Sequence, residues 1–263
     1  MTPSASSSVE QMPEWVAILA EHLPQVDDLV TEDDTPVDNL FSARQQRLLV
    51  EPLYTSWAGP GEGRPFLADA NVGVFPAVPQ SPLVPDAFLS LDVRVPADVW
   101  AQTGRSYFIW EYGKPPDVVI EIVSNQKGAE AERKLRLYGQ MGVLYYVIFD
   151  PTNQLRAGSL RVYHNSGGTY RQVDEGWFPQ AGLGVKLWQG VYEGLAATWL
   201  RWYDQDGNVL PTGAERAEHE QQRRAEYEQQ RAKYEQQRAE HERQRAERLA
   251  AQLRALGIEP QDI

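Results

Sequence analysis

The segment spanning residues 116–124, with the sequence PDVVIEIVS, constrains the fold more than any other part of the chain. Side chains of an extended strand alternate between the two faces of a sheet. One face of this strand is therefore wholly apolar and consists of Val118, Ile120 and Ile122. The opposite face carries two acids, Asp117 and Glu121. An ionised carboxylate inside a central apolar strand costs several kcal/mol unless it is paired or binds a metal, so Glu121 requires a partner.

A second Pro-Asp pair, at residues 85–86, precedes another apolar run, AFLSL. The Asp86 carboxylate is therefore expected at the start of a strand beside the Glu121 strand, where two acids can share one cation. Of two lysines downstream, only Lys134 lies on a predicted helix, from which it can point back toward the end of the Glu121 strand. Taken singly, Asp86 could be a turn residue, Lys134 a surface lysine, and Glu121 half of a structural ion pair. Together they predict a hydrolytic metal site.

Apolar spacing and the positions of Gly and Pro predict the order helix, strands, helix, strand around these residues. The two helices are expected at residues 39–54 and 128–141, the second ending at Gly142 as a C-terminal cap. The β-rich segments of this core are 65–75, 86–93, 107–111, 117–123 and 144–149. Shorter strands at 159–164, 169–173 and 199–203 predict a β extension of the same sheet.

Two further acids and several tryptophans are expected to be structural. Asp117 shares a strand face with Glu121 but lies ~13 Å away along the strand, so it is expected to cap or pair rather than bind the same ion. Asp150, before Pro151, is typical of a strand end. The tryptophans in or beside the strands allow two interpretations, packing on the sheet or stacking on bases; they are Trp110, Trp177, Trp188, Trp199 and Trp202.

The C-terminal fifty residues repeat almost every seven positions, as AEYEQQR, AKYEQQR, AEHERQR and AERLAAQ, which predicts a long helix. One seam position of this helix carries Ala225, Ala232, Ala239, Ala246 and Leu253, and the alternate position carries Glu228, Glu235, Glu242, Leu249 and Leu256. An Ala/Glu seam buries little surface, so two interpretations stay open, a helix that oligomerises or docks a partner and a solvated spacer. The predicted organisation is an acidic leader (1–38, with a short helix near 14–22), a core domain (39–210) and a charged helix (211–263).

Composition restricts the chemistry. The chain contains no cysteine, and its four histidines offer no pair at metal-ligand spacing, so a metal would have to be held by carboxylates, which suits Mg²⁺ or Mn²⁺. The net charge is −12, and the residues before 211 carry about −11 of it, which is unfavourable for binding phosphates. No apolar run reaches the roughly 18 residues of a membrane span. We therefore expect a soluble, unexported, cytoplasmic protein.

Four motifs resemble the PD-(D/E)XK nuclease superfamily, and within it a bacterial family of predicted restriction endonucleases of unknown specificity. They are VPDAFLSL at 84–91, KPPDVVIEIVS at 114–124, ERKLRLYGQMGVLYYVIFDP at 132–151, and RALGIEP at 254–260, which ends the Glu/Arg/Gln-rich helix. The resemblance extends from about residue 36 to the end. It implies an α/β fold with a restriction endonuclease-like α-β-β-β-α-β core and a mixed sheet.

The same resemblance implies Mg²⁺-dependent (or Mn²⁺-dependent) hydrolysis of phosphodiester bonds, with Asp86 and Glu121 as metal ligands and Lys134 as the charge-stabilising catalytic lysine. One departure concerns the lysine that the superfamily places two residues after the glutamate, where this chain has Val123. The role is assigned to Lys134, with Lys127 in reserve. The first helix should add a polar group, for which Gln45, Gln46 and Glu51 are all candidates.

Two functions remain open at this point. The first is an endonuclease acting on nucleic acid, with DNA as the expected substrate. The second is an interaction protein that keeps the nuclease fold without the activity and recruits a partner, or a second copy of itself, through the C-terminal helix. The family motifs, which occur in the expected order along the chain, favour the first function. The negative charge of the residues before 211 favours the second.

Overall fold

The computed structural model describes residues 39–76, 81–96, 98, 100, 104–124 and 128–255 of the 263-residue chain. The helices in these residues are α1 (Leu40–Thr55), α2 (Ile109–Tyr112), α3 (Gly128–Met141) and α4 (Gly213–Ala255). The strands are β1 (Phe66–Asp69), β2 (Val74–Phe75), β3 (Ala87–Leu91), β4 (Tyr107–Phe108), β5 (Val118–Ile122), β6 (Tyr145–Phe149), β7 (Leu160–Ser166), β8 (Thr169–Val173), β9 (Trp177–Phe178), β10 (Leu183–Tyr192) and β11 (Leu195–Tyr203). The predicted leader, Lys127 and Leu256 lie outside the described residues, and the compact unit considered below spans residues 41–263.

A six-stranded sheet with the order β1-β3-β5-β6-β7-β8 forms the centre of this unit. β5 and β6 are parallel, and the other neighbours are antiparallel. Parallel strands need a long crossover connection, which α3 supplies between β5 and β6. Along the chain, α1, β1, β3, β5, α3 and β6 reproduce the predicted α-β-β-β-α-β order. The restriction endonuclease-like fold is therefore confirmed.

The two faces of the sheet differ as the alternation in β5 predicts. Val118, Ile120 and Ile122 belong to a core shared with α1 and the C-terminal strands, whereas Val119 belongs to a second core closed by Tyr138 of α3. The boundaries of α3 match the prediction. Gly142 ends the helix at φ 88°, a left-handed conformation that glycine adopts at little cost.

Two strand predictions need correction. β7 and β8 do extend the central sheet, but β9, β10 and β11 form a separate three-stranded sheet. The long β10–β11 hairpin contributes Leu183, Val185, Leu200 and Trp202 to the core on the α1 face of the central sheet. Residues 107–111 are a strand only over β4, which pairs with β2, before the chain turns into α2.

The tryptophans of β11 have a packing role. Trp199 and Trp202 are 0% and 2% exposed, and their Nε1 atoms donate to the carbonyl oxygens of Gly190 and Leu49. Trp199 also stacks on Phe41 of α1, with 4.8 Å between the ring centroids. The packing interpretation is therefore confirmed for these two residues.

α4 begins with a reciprocal cap and then runs exposed. The Thr212 hydroxyl accepts a hydrogen bond from the Glu215 backbone N–H, and the Glu215 carboxylate accepts one from the Thr212 backbone N–H, at 3.2 and 2.7 Å. Glu215 also accepts two hydrogen bonds from Arg201 of β11. None of the 43 residues of α4 is buried. Among the described residues, no helix is long and apolar enough to cross a membrane.

Candidate active site

Asp86 and Glu121 face each other across two neighbouring strands. The antiparallel ladder between β3 and β5 ends at the pair Ala87 and Ile120, so one further step places Asp86 opposite Glu121. Directly opposed residues lie about 4.5–5.5 Å apart, with side chains on the same face. Both residues are on the face covered by α3, as Phe88 and Val119 of the same strands show. The structure thus brings the two predicted carboxylates together.

Glu121 is an acid with little access to solvent, 8% exposed, and two side chains of α3 hold it. Lys134 Nζ donates to Oε2 at 2.7 Å, and the Tyr138 hydroxyl donates to Oε1 at 3.0 Å. Because Lys134 and Tyr138 are four residues apart, they lie on one face of α3. The Lys134 side chain therefore points toward the Glu121 strand, as predicted.

Burial, together with the nearby charge of Asp86, raises the pKa of Glu121 to about 7, although Lys134 and the Tyr138 hydrogen bond act in the opposite direction. The balance has a physical meaning. One lysine does not fully compensate two facing carboxylates in surroundings of low polarity. The two carboxylates therefore carry more negative charge than the Lys134 ion pair neutralises.

Asp86 is oriented by backbone and by α1. Its Oδ2 accepts a hydrogen bond from the Ile122 backbone N–H at 2.6 Å, and its Oδ1 accepts one from Gln46 Nε2 at 3.1 Å. Asn71, in the loop after β1, donates from Nδ2 to Gln46 Oε1 at 3.1 Å. This chain of amides fixes the direction in which the Asp86 carboxylate points.

The first helix contributes Gln46, one of its three candidate polar groups. Gln45 is buried on another side of α1, where it bonds to both the N–H and the carbonyl of Leu200 in β11. Glu51 accepts a hydrogen bond from the Gly213 N–H at the start of α4. Asn71 had no signal of its own in the sequence, because its link to Gln46 spans 25 residues.

The two acids expected to be structural are structural. Asp117 forms an ion pair with Lys114 and accepts a hydrogen bond from the Leu91 N–H at 2.7 Å. Asp150 is fully buried and accepts hydrogen bonds from the N–H groups of Gln154 and Leu155, both at 2.8 Å. Both predictions are confirmed.

The donor set at Asp86 and Glu121 suits a hard divalent cation. No group of three or more His, Cys, Asp or Glu side chains with metal-binding geometry occurs in the described part of the chain, so the protein would supply two carboxylates. Mg²⁺ is commonly held by one or two carboxylates, with water and substrate phosphate completing the shell. Burial is the main cause of the raised Glu121 pKa and the charge of Asp86 adds to it; a bound cation would offset both effects.

Comparison with known proteins gives one family. The family model Uma2, described as "Putative restriction endonuclease", matches residues 31–190, which include α1, the whole Asp86–Glu121–Lys134 site and the central sheet. A search of curated proteins gave no match.

Proposed function

Because this chain belongs to the Uma2 family of restriction endonuclease-like proteins, we propose that it is a divalent-metal-dependent endonuclease that hydrolyses phosphodiester bonds of DNA. Asp86 and Glu121 are the proposed metal ligands, and Mg²⁺ or Mn²⁺ the proposed cofactor. Lys134 is the proposed catalytic lysine. The observation that carries the proposal is the pairing of two carboxylates on adjacent strands with a lysine 2.7 Å from one of them.

The residues of the site divide the chemistry among them. A divalent cation held there would lower the pKa of a bound water and polarise the scissile phosphate. Glu121 must be ionised to act as a ligand, and its Lys134 partner favours that form. Lys134 carries a positive charge within reach of the same position, where it can neutralise charge that develops on the phosphate.

Other residues act on the ligands rather than on the substrate. Tyr138 restrains one oxygen of Glu121, which leaves the other for Lys134 and a cation. Gln46 and the Ile122 N–H restrain Asp86 in the same way. Such supporting hydrogen bonds orient metal ligands and commonly change metal affinity when they are lost.

A supercoiled plasmid with Mg²⁺ or Mn²⁺ tests the proposal directly, since nicking and linearisation are resolved on one gel. The intact protein is compared with Glu121→Ala and Lys134→Ala, and with Arg64→Ala as a control from an exposed ion pair away from the site. We expect metal-dependent cleavage that the first two variants lose and the control retains. Absence of cleavage, or cleavage that survives both changes, would reject the nuclease assignment of this site.

A second function is favoured by one observation, that none of the 43 residues of α4 is buried. An inactive member of the fold could use this helix to recruit a partner, with Glu121 and Lys134 kept as a structural ion pair. This alternative predicts that the full chain cuts no plasmid and that Mn²⁺ leaves its melting temperature unchanged. A metal-induced rise in melting temperature that Glu121→Ala abolishes would exclude it.

A further inference from the structure

Arg161 of β7 lies in the same row of the central sheet as the two carboxylates. Glu121 of β5 is paired with Ile148 of β6, and Ile148 is paired with Arg161. Paired residues project from the same face, so Asp86, Glu121, Ile148 and Arg161 form one line across four strands. With strands about 4.8 Å apart, the Cα atom of Arg161 lies roughly 10 Å from that of Glu121.

The guanidinium of Arg161 is short of partners. Its Nε and Nη2 atoms are excluded from solvent and make no hydrogen bond, and no carboxylate lies within ion-pairing distance of it in the described part of the chain. The contrast with Arg201 is informative, because that arginine gives two hydrogen bonds to Glu215 and one to the Leu210 carbonyl. Of the two, Arg161 is the arginine whose charge no acid of the described chain balances.

A guanidinium with two of its three nitrogens withdrawn from water and no anion beside it is less favourable in the isolated protein than a fully hydrated one. Such a group is useful when a ligand brings the missing anion. Guanidinium groups present paired N–H donors that match the oxygens of a phosphate, and they give up water more readily than an ammonium group does. Asp86 and Glu121, which lie in the same row of the sheet as Arg161, form the proposed site of phosphodiester cleavage.

We propose that Arg161 binds a phosphate of the DNA strand that is cut at Asp86 and Glu121, and so positions that strand across the sheet. This inference rests on the proposed nuclease function and adds a substrate-binding residue to it. It also bears on the net negative charge of the residues before 211, which opposes the binding of a phosphate. A local cation beside the carboxylates can attract and orient a phosphate even where the net charge is −12.

The test measures binding without cleavage, by fluorescence anisotropy of a labelled DNA duplex with Ca²⁺ in place of Mg²⁺. Affinities of the full-length wild type, Arg161→Gln and Arg171→Gln are recorded over a series of salt concentrations. Arg171 is the matched control, because it is an exposed arginine on the adjacent strand, and its pairing with His164, three residues from Arg161 along β7, places it on the opposite face of the sheet. Both variants remove the same charge.

We expect Arg161→Gln to weaken binding on the order of tenfold relative to Arg171→Gln. We also expect it to reduce the slope of log K against log salt by about 0.9, the change for one phosphate contact. Without DNA, its melting temperature should stay equal to that of the wild type or rise, because an unsatisfied buried donor has been removed. A merely structural arginine predicts a lower melting temperature instead.

An affinity and a salt slope equal to those of Arg171→Gln would overturn the assignment. If Arg161→Gln does not fold, Arg161→Lys replaces it, since lysine keeps the charge and loses the two-pronged contact; wild-type affinity in that variant would overturn the assignment as well. A wild type that binds and cuts DNA while Arg161 variants behave as the control contradicts this inference alone. A wild type that binds no DNA removes the proposed function and this inference with it.

Discussion

The Glu121–Lys134 pair and the Arg201–Glu215 pair are both close ion pairs, with N···O distances of 2.7 and 2.6 Å, and in each at least one partner is buried. Their carboxylates respond in opposite directions. Burial and the charge of Asp86 raise the pKa of Glu121 to about 7. Burial also acts against ionisation of Glu215, but the hydrogen bonds from Arg201 and Thr212 outweigh it and lower its pKa.

The difference lies in what surrounds each acid. Glu215 accepts hydrogen bonds from one guanidinium on both of its oxygens and caps the start of α4. Glu121 is buried, has one lysine partner and faces the carboxylate of Asp86. The first arrangement stabilises the folded chain, whereas the second leaves a deficit of positive charge that a ligand can supply. An acid–base pair thus stabilises the fold in one region and, in our proposal, belongs to a metal site in the other.

The largest expected effect is on the cleavage rate, which should distinguish the Glu121–Lys134 pair from the Arg201–Glu215 pair. Glu121→Gln should lower the rate of metal-dependent cleavage by about 10³-fold or more, roughly 4 kcal/mol of activation free energy, since it removes a charged metal ligand. Glu215→Gln should leave the rate within about twofold. Single-turnover cleavage of a plasmid measures both. Equal losses in the two variants would mean that the pairs do not differ in function.

The free energy of unfolding should show the reverse order, with a larger loss on substitution of Glu215 than of Glu121. Glu215→Ala leaves the buried Arg201 guanidinium without its carboxylate and removes the cap of α4, so we expect a loss of about 3 kcal/mol in the free energy of unfolding. At pH 5, where Glu121 is protonated in the folded state, Glu121→Gln should change it by less than about 1 kcal/mol, because Gln is nearly isosteric with the neutral acid. Urea denaturation at pH 5 in EDTA measures the free energy of unfolding of both variants. A greater loss in Glu121→Gln would make that pair the structural one.

The pH dependence of stability gives a third contrast. Glu121 has an ordinary pKa of 4.5 and a folded pKa of about 7, so the folded state holds a proton that the unfolded chain has lost between these values. Stability of the metal-free protein should therefore fall as the pH rises from about 4.5 through 7, by on the order of 2–3 kcal/mol.

Glu215 should act in the opposite sense, because its pKa is lowered. Its contribution is present above the ordinary value and is lost as the pH falls through the folded value. Thermal denaturation of wild type, Glu121→Gln and Glu215→Gln across pH, with EDTA, isolates each residue by difference. A wild type whose stability stays flat between pH 5 and 7 relative to Glu121→Gln would contradict the account of the site.

The smallest effect on folding is expected at the far end of α4. Removing the chain after residue 224 deletes no buried residue of α4 among those described and keeps the Thr212–Glu215 cap, so the free energy of unfolding should change by less than about 0.5 kcal/mol. If the alanine and leucine seam joins copies of the chain, the truncated form should be monomeric and the full chain larger. Light scattering measures the mass, and a truncated form that keeps the mass of the full chain would place any self-association elsewhere.

Local patterns predicted the parts of the site that depend on local geometry. Alternation in β5 placed Glu121 on the face opposite Val118 and Ile120, and Gly142 marked the end of α3. Once that helix is fixed, Lys134 lies one turn from Tyr138. These features need only the period of a strand or a helix and the conformational freedom of one glycine.

Features set by distant contacts were not accessible in the same way. Choosing Gln46 over Gln45 requires the rotation of α1 against β3 and β11, contacts that join residues 40 and 155 positions apart. The β9–β11 sheet resembles an extension in sequence because its strands have the same alternation, and only its packing on α1 distinguishes it. Arg161 is unremarkable in a half-exposed strand until the register places it in line with Glu121.

The central claim is that Asp86 and Glu121 together bind a divalent cation. Anomalous X-ray diffraction from crystals grown with Mn²⁺ tests it most directly, because the metal is located independently of any activity. The account predicts one anomalous peak between the two carboxylates, with Lys134 still beside Glu121. Mn²⁺ bound elsewhere, or no peak at an unchanged Glu121–Lys134 pair, would contradict it.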